Sequence, residues 1–362
     1  MDKQQLMELI SHSHAAGRRV AVSFCAHVPH EILKAAGFCA VRLFHTDGVE
    51  DISGAALPSN LCPLVKEVYS LCEGDALSDA DLIIAESSCD GKKKMYELLS
   101  RQEQLYYYQI PQGYDRAYVK PLIHSECKWL IKMLKQRFDA DVSEEALRNA
   151  SEQYNTLRKS VMDLMAVQQQ IPPAAWGSEI IQTLEQNRLI VDPLLRAEAN
   201  DAMKNQLLSR SSPVPNSARR ILLTGCPASG VYRKIVGAIE ENGGVVVCME
   251  NCEVIKANRR FINTDAEDIL DAIAYCYQDT ACAIMAPNDL RFEMIDQLMI
   301  DYQVDGIIDL ALQTCHAYTV ERDKMRRFCT QKGIPYLSVE TGFSNADIGQ
   351  IITRVSAFIE MM

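Results

Sequence analysis

No run of eighteen apolar residues occurs anywhere in the chain, so the sequence offers nothing that would span a membrane as a helix. Met1 to Arg19 has polar residues throughout and lacks the apolar core of a secretory signal, which makes the cytoplasm the expected compartment. Positive charge is in short supply. Thirty-seven Lys and Arg stand against 48 Asp and Glu, and a net charge of −11 argues against a nucleic-acid or anionic-membrane partner. No Cys-x-x-Cys pair is present, which argues against a ferredoxin module or a zinc ribbon, whose knuckles need that spacing. A Gly-x-x-x-x-Gly-Lys-Ser/Thr run is missing too, so ATP has no P-loop here. The stretch Gly225-Cys226-Pro227-Ala228-Ser229-Gly230 resembles a phosphate-cradling loop only loosely, without the fingerprint glycine spacing.

What is present reads as a globular α/β protein. The 362 residues are 48% apolar and 23% charged, enough for two or three domains with their own cores. Short Val/Ile/Leu-rich runs at 19–25, 39–44, 81–88 and 105–111 alternate with helical or loop connections and predict a parallel sheet of βαβ units. The pattern turns helical from Ser125 to about Gln170, breaks at Pro172 and Pro173, and continues helical to about Leu208. Residues 209–217 have the composition of a linker. The α/β rhythm then restarts, with strands expected at 220–226, 244–250, 282–287, 306–312 and 335–340. The expected organisation is an N-terminal α/β domain (1–124), a helical segment (125–208), a linker (209–218) and a C-terminal α/β domain (219–362). The halves look like a diverged repeat: Val20 to Cys25 parallels Ile221 to Cys226, and Asp81 to Cys89 parallels Asp305 to Cys315. Two flavodoxin-like or Rossmann-like domains would then face each other across a cleft.

Thirteen cysteines in a cytoplasmic chain do not read as a disulfide framework. Cys39, Cys72, Cys127, Cys248, Cys276 and Cys329 fall within strands, helices or nondescript loops, where cysteine is a small buried hydrophobe. Cys25, Cys62, Cys89, Cys226, Cys252 and Cys315 are different: each stands at a strand end or in the loop beyond it. In an open α/β sheet those loops form the ligand crevice. Thiols gathered on one rim make a soft-metal site, with an iron–sulfur cluster as the leading candidate and unligated structural thiols as the competing account.

Residues Phe24-Cys25-Ala26-His27-Val28-Pro29-His30, Asn60-Leu61-Cys62-Pro63, Cys89-Asp90-Gly91-Lys92-Lys93-Lys94 and Gln313-Thr314-Cys315-His316 resemble motifs of the 2-hydroxyacyl-CoA dehydratase and benzoyl-CoA reductase family. The resemblance covers nearly the whole chain. It implies one 4Fe-4S cluster on three cysteines, matching Cys62, Cys89 and Cys315. Thr224-Gly225-Cys226-Pro227, Glu250-Asn251-Cys252 and Pro287-Asn288-Asp289-Leu290-Arg291 are similar to the double-cubane branch of that family, in which two cubanes share a sulfide in an 8Fe-9S unit. That branch implies Cys226 and Cys252 as ligands of the second cubane. Cys25 is the expected sixth ligand, because Cys282 opens its expected strand and so points to the opposite rim.

The resemblance further implies a separate ATP-dependent iron–sulfur activator that injects single electrons at very negative potential. Three functions follow as alternatives. The first is reduction of a small molecule by a double-cubane protein. The second is a dehydratase subunit with one 4Fe-4S cluster, acting on a 2-hydroxyacyl-CoA through a ketyl radical. The third is a non-catalytic electron-transfer protein. His27 and His316, beside expected ligands, are candidate proton donors, with helix packing or solvent as the ordinary fate of such histidines. Glu86, three residues before Cys89, is either a catalytic carboxylate or a structural one. Lys92, Lys93 and Lys94 would offset cluster charge, greet an acidic partner or form a solvated turn. A homodimer is expected, since the helical middle offers two apolar faces.

Overall fold

Short runs of branched apolar residues, too short for helices and most deeply buried in the sheet centres, assemble into two parallel sheets. The computed structural model describes residues 1–278 and 280–362. The first half comprises α1 (Lys3–Ala15), β1 (Arg19–Ser23), α2 (His30–Ala35), β2 (Phe38–Arg42), α3 (Pro63–Glu73), β3 (Leu82–Glu86), α4 (Asp90–Leu98) and β4 (Leu105–Tyr108). The middle is helical, with α5 (Val119–Phe138), α6 (Glu144–Ala166), α7 (Gly177–Asn187) and α8 (Pro193–Leu208). The second half begins with β5 (Arg219–Gly225), α9 (Tyr232–Glu241), β6 (Gly244–Glu250), α10 (Ile255–Asn258) and α11 (Ile269–Gln278). It ends with α12 (Asp289–Asp301), β7 (Gly306–Leu312), α13 (His316–Lys332), β8 (Tyr336–Thr341) and α14 (Ile348–Glu360).

The first sheet has the order β2-β1-β3-β4 and the second the order β6-β5-β7-β8. These are one topology written twice, as the repeat in the sequence implies. Every pairing is parallel, with Val22 opposite Val41 and Ile83 in one sheet and Leu223 opposite Met249 and Ile308 in the other. The central strands β3 and β7 are buried along their whole lengths. Each fully buried Ile or Leu there contributes on the order of 1.5–3 kcal/mol.

The cores are not confined to their own halves. One face of the first sheet packs on α1, α3 and α4 through Leu6, Val68, Leu71 and Met95. Its other face packs on α2 and α5, and also on α11, whose Ile269, Ile273 and Ala274 come from the second half of the sequence. Helix α6 bridges both cores, with Leu147 in the first and Val161 and Leu164 in the second. At the crossing, Arg158 of α6 meets Glu31 of α2 at 2.5 Å, and the Tyr277 hydroxyl of α11 donates to the other Glu31 oxygen at 2.9 Å.

One expected strand is absent. Residues 282–287 form turns: the Met285 amide donates to the Cys282 carbonyl, and the Ala286 amide donates to the Gln112 carbonyl. The segment pairs with a loop rather than a sheet edge, and a short buried apolar run looks alike in either setting. The helical middle also begins at Val119, earlier than the pattern indicates.

His30 carries a pH dependence. Its ring is buried against the Ser23 hydroxyl at 2.8 Å. Burial, then the charges of Arg42, Arg196 and Arg158, push its pKa well below the usual value. The unfolded chain takes up a proton near pH 6.5 that the folded chain refuses. Stability is therefore complete above about pH 6.5 and declines below it by up to about 1.4 kcal/mol per pH unit. Urea melts at pH 7.0 and pH 5.5 check this: His30→Gln should lose less stability between them than the wild type, and equal losses would contradict it.

Candidate functional site

In a sheet ordered 2-1-3-4 the connections leaving strands 1 and 3 turn to opposite faces, and a crevice opens between them at the carboxyl edge. Each sheet places a cysteine on both sides of that crevice. Cys25 follows β1 and Cys89 follows β3; Cys226 follows β5 and Cys315 follows β7. The second strand of each sheet contributes another, Cys62 by way of the long loop after β2 and Cys252 directly after β6. The rim inferred from the sequence is thus three loops from each half.

The sulfurs fall into two neighbourhoods, and each draws on both halves. Cys62 and Cys315 share a hydrogen bond, with Cys89 and Cys226 within electrostatic reach. Cys252 and Cys282 share a second hydrogen bond, with Cys25 close by. Cys226 therefore stands with Cys62, Cys89 and Cys315 rather than with Cys252. Cys282 stands with Cys252 and Cys25, because the turn at 282–287 delivers it to the rim that a strand would have denied it.

Three of these thiols occupy the same structural position. Cys62, Cys89 and Cys315 are the N-cap residues of α3, α4 and α13. Pro63 at the first helical position fits there because its missing N–H is not needed. The free amides of each first turn point at sulfur: Leu64 and Val65 at Cys62, Lys92 at Cys89, Tyr318 at Cys315. Amides and helix dipole together favour the thiolate. The hydrogen bond from Cys315 lowers Cys62 to about 7, while Cys315, which keeps the shared proton, is raised. Cys89 is raised, first by burial. Thr314 carries a φ of 58°, a left-handed conformation that a β-branched residue adopts only under constraint, and it turns the chain from β7 into Cys315.

These three half-buried thiols line a cavity of about 690 Å³ together with Gln112, Met285, Asn288, His316, Glu321 and Lys324. Cys25, Cys252 and Cys282 lie deeper, each 7% exposed. Burial raises Cys25 to about 12. In the Cys252–Cys282 pair the shared hydrogen bond lowers Cys282, and His27 lowers it further. His27 is itself buried, and its Nε2 has no hydrogen-bond partner.

Between the two neighbourhoods stands Lys92. Its Nζ donates to the Phe24 carbonyl at 2.8 Å and to Glu86 at 2.5 Å, and its charge lowers Cys25, Cys62 and Cys89. Glu86 also accepts from the Tyr96 hydroxyl at 3.3 Å. It is a buried, fully engaged carboxylate away from the cavity. Lys93 and Lys94 are exposed. His316 is exposed and lies on the cavity wall.

Among the described residues, no three His, Cys, Asp or Glu side chains converge on a point that would hold a single metal ion. A cluster makes a different demand, one sulfur to each iron it anchors, spread around the group. Soft donors on separate loops, seated on backbone amides beside a buried cation, fit that demand.

A family model described as 2-hydroxyglutaryl-CoA dehydratase, D-component, matches residues 25–362. "Putative dehydratase subunit YjiM" of Escherichia coli (strain K12) is 37% identical over 351 residues, covering 94% of this chain and 90% of that protein. The (R)-phenyllactyl-CoA dehydratase beta subunit of Clostridium sporogenes is 20% identical, over 98% of this chain and 94% of its own length. A benzoyl-CoA reductase subunit of Thauera aromatica is 21% identical, over 95% of this chain and 90% of its own length. A solved chain described as "Nitrogenase Cp1 at pH 6.5" aligns with a TM-score of 0.22 and 10% identity over 95% of this chain and 60% of that one, too slight a likeness to carry an argument.

Proposed function

The chain belongs to the 2-hydroxyglutaryl-CoA dehydratase D-component family, and from that membership we propose that it is an iron–sulfur reductase whose cysteine rim holds a double-cubane cluster. Cys62, Cys89 and Cys315, with Cys226 beside them, would hold one cubane. Cys25, Cys252 and Cys282 would hold the other. When bound, the cluster supplies electrons of very low potential, which a separate ATP-dependent activator provides.

The observation that carries this reading is the repeated seat of Cys62, Cys89 and Cys315 on helix N-termini around one cavity. Backbone amides favour the thiolate at each of these seats, most effectively at Cys62, and Lys92 offsets negative charge gathered between the two groups. The cavity admits a small molecule, and His316 on its wall is placed to give that molecule a proton. His27 would serve the deeper group, where its buried ring stands beside Cys282. Glu86 acts by fixing Lys92. The protein is assigned to the cytoplasm and to a homodimer, for which exposed Trp129 and Leu195 on the middle helices supply apolar surface.

A second reading is favoured by the relatives, which are named as subunits of dehydratases and of a reductase. In it the chain is one subunit of an acyl-CoA dehydratase with a single 4Fe-4S cluster on Cys62, Cys89 and Cys315. Iron and acid-labile sulfide, measured on protein purified without oxygen, separate the two. About eight irons per chain are expected for the double cubane and about four for the single cluster. Cys282→Ser should lower the higher count and leave the lower one unchanged. No iron, even after reconstitution, would overturn both.

A further inference from the structure

A second cavity, separate from the large one, lies where the two halves and the middle helices meet. It measures about 70 Å³, several times the ~10–15 Å³ that one water needs. Four arginines line it: Arg42 of β2, Arg158 of α6, Arg188 at the end of α7 and Arg196 of α8. Two of them are neutralised within the chain. Arg158 pairs with Glu31 at 2.5 Å, and Arg188 pairs with Glu185 at 2.6 Å and Glu253 at 3.4 Å.

Among the described residues neither of the other two has a carboxylate within ion-pair distance, although Glu185 offsets Arg196 in part from farther off. Arg42 donates only to the Val28 carbonyl, at 3.1 Å, and its Nε is buried without a partner. Among the described residues Arg196 makes no side-chain hydrogen bond, and its Nε is likewise buried and unpartnered. Two guanidinium groups without an ion pair beside two that have one are costly unless something else supplies the charge. Burial, then the charges of Arg188 and Arg42, press Arg196 down to about 9. Because arginine keeps its proton, an anion is the available relief.

We propose that this cavity binds a small dianionic oxyanion, held by the forked guanidinium groups of Arg42 and Arg196. Guanidinium presents paired N–H donors at the spacing of carboxylate or phosphate oxygens, which lysine does not. The room suits phosphate, sulfate or a short dicarboxylate and excludes a nucleotide. Tyr154 and Tyr277 line the cavity, and Cys252 forms part of its wall, so the anion would sit beside the deeper thiol group. The inference does not depend on a cluster: with no iron bound, the two unpaired arginines are still there.

The test is thermal unfolding and calorimetric titration of the full chain with sodium phosphate, sulfate or malonate, against chloride at equal ionic strength. A saturable rise in Tm with at least one of the three is expected. A response to phosphate and sulfate alone assigns a tetrahedral anion, and a response to malonate alone assigns a dicarboxylate. Arg42→Met and Arg196→Met should each weaken binding at least tenfold. Arg196→Met in chloride should melt no lower than the wild type, since it removes a lone charge. Arg196→Lys, which keeps that charge, should still lose most of the affinity. Shifts no larger than those of chloride, or undiminished affinity in both methionine variants, would overturn the proposal.

Discussion

Arg291→Met is expected to lower the stability of the chain by about 3–5 kcal/mol, the cost of breaking a buried ion pair by removing one partner. Arg291 is 1% exposed and stands beneath the second sheet's carboxyl edge. Its guanidinium pairs with Glu321, lies 3.5 Å from Glu250 and 3.9 Å from Asp309, and donates to the Thr224 hydroxyl at 2.8 Å. Burial opposes the charge, but the three carboxylates outweigh it and hold the group protonated. Lys256, 2.9 Å from Glu250, would remain to face them. The residues of this knot come from α12, β5, β6, β7 and α13, so its loss loosens the loops that carry Cys226, Cys252 and Cys315 together. Urea unfolding measures the effect. Arg291→Lys keeps the charge without the fork and should fall between the variant and the wild type. A methionine variant within about 1 kcal/mol of the wild type would show that the carboxylates find other partners.

The two sheets are legible because their strands are uniform. Runs such as Gly244–Glu250 and Gly306–Leu312 are apolar, short and bounded by Gly or Asp, and they are strands over those same residues. The segment 282–287 has the same look and is a turn, because composition reports burial while pairing depends on a free sheet edge. The packing of α11 on the first sheet is not legible either. Its apolar face states that it must be covered, and nothing local states which half does so.

For the site, the strand-end position of the cysteines is readable from topology alone. Their sorting into two groups depends on how the halves face each other, which is why Cys226 stands with Cys62 rather than with Cys252, and why Cys282, expected on the opposite rim, joins Cys252. Three consecutive lysines leave charge offset, an acidic partner and a solvated turn open in sequence, and the helix settles it residue by residue: Lys92 is buried towards the sheet while Lys93 and Lys94 are exposed. The arginine cavity leaves no trace in sequence at all. Its four guanidinium groups come from four separate elements with no shared spacing.

Lys92→Met should be nearly as damaging as the loss of Arg291, and it separates two roles of one charge. The first role is structural. Glu86 is fully buried and holds Lys92 at 2.5 Å, so methionine leaves a carboxylate with the Tyr96 hydroxyl alone among the described residues, at a cost of about 3–5 kcal/mol. The double variant Lys92→Met/Glu86→Gln removes both charges and should recover most of that loss, because replacing a whole buried pair is often near neutral. The second role is electrostatic. Lys92 lowers Cys25, Cys62 and Cys89, so without it the thiolate fraction of each falls at neutral pH. The refolded double variant should therefore match the wild type in urea, yet its Cys62 should react several-fold more slowly with iodoacetamide at pH 7 in iron-free protein. Wild-type alkylation in a stable double variant would confine Lys92 to holding Glu86. Slower alkylation with restored stability would mark it as the cation that tunes the thiol rim.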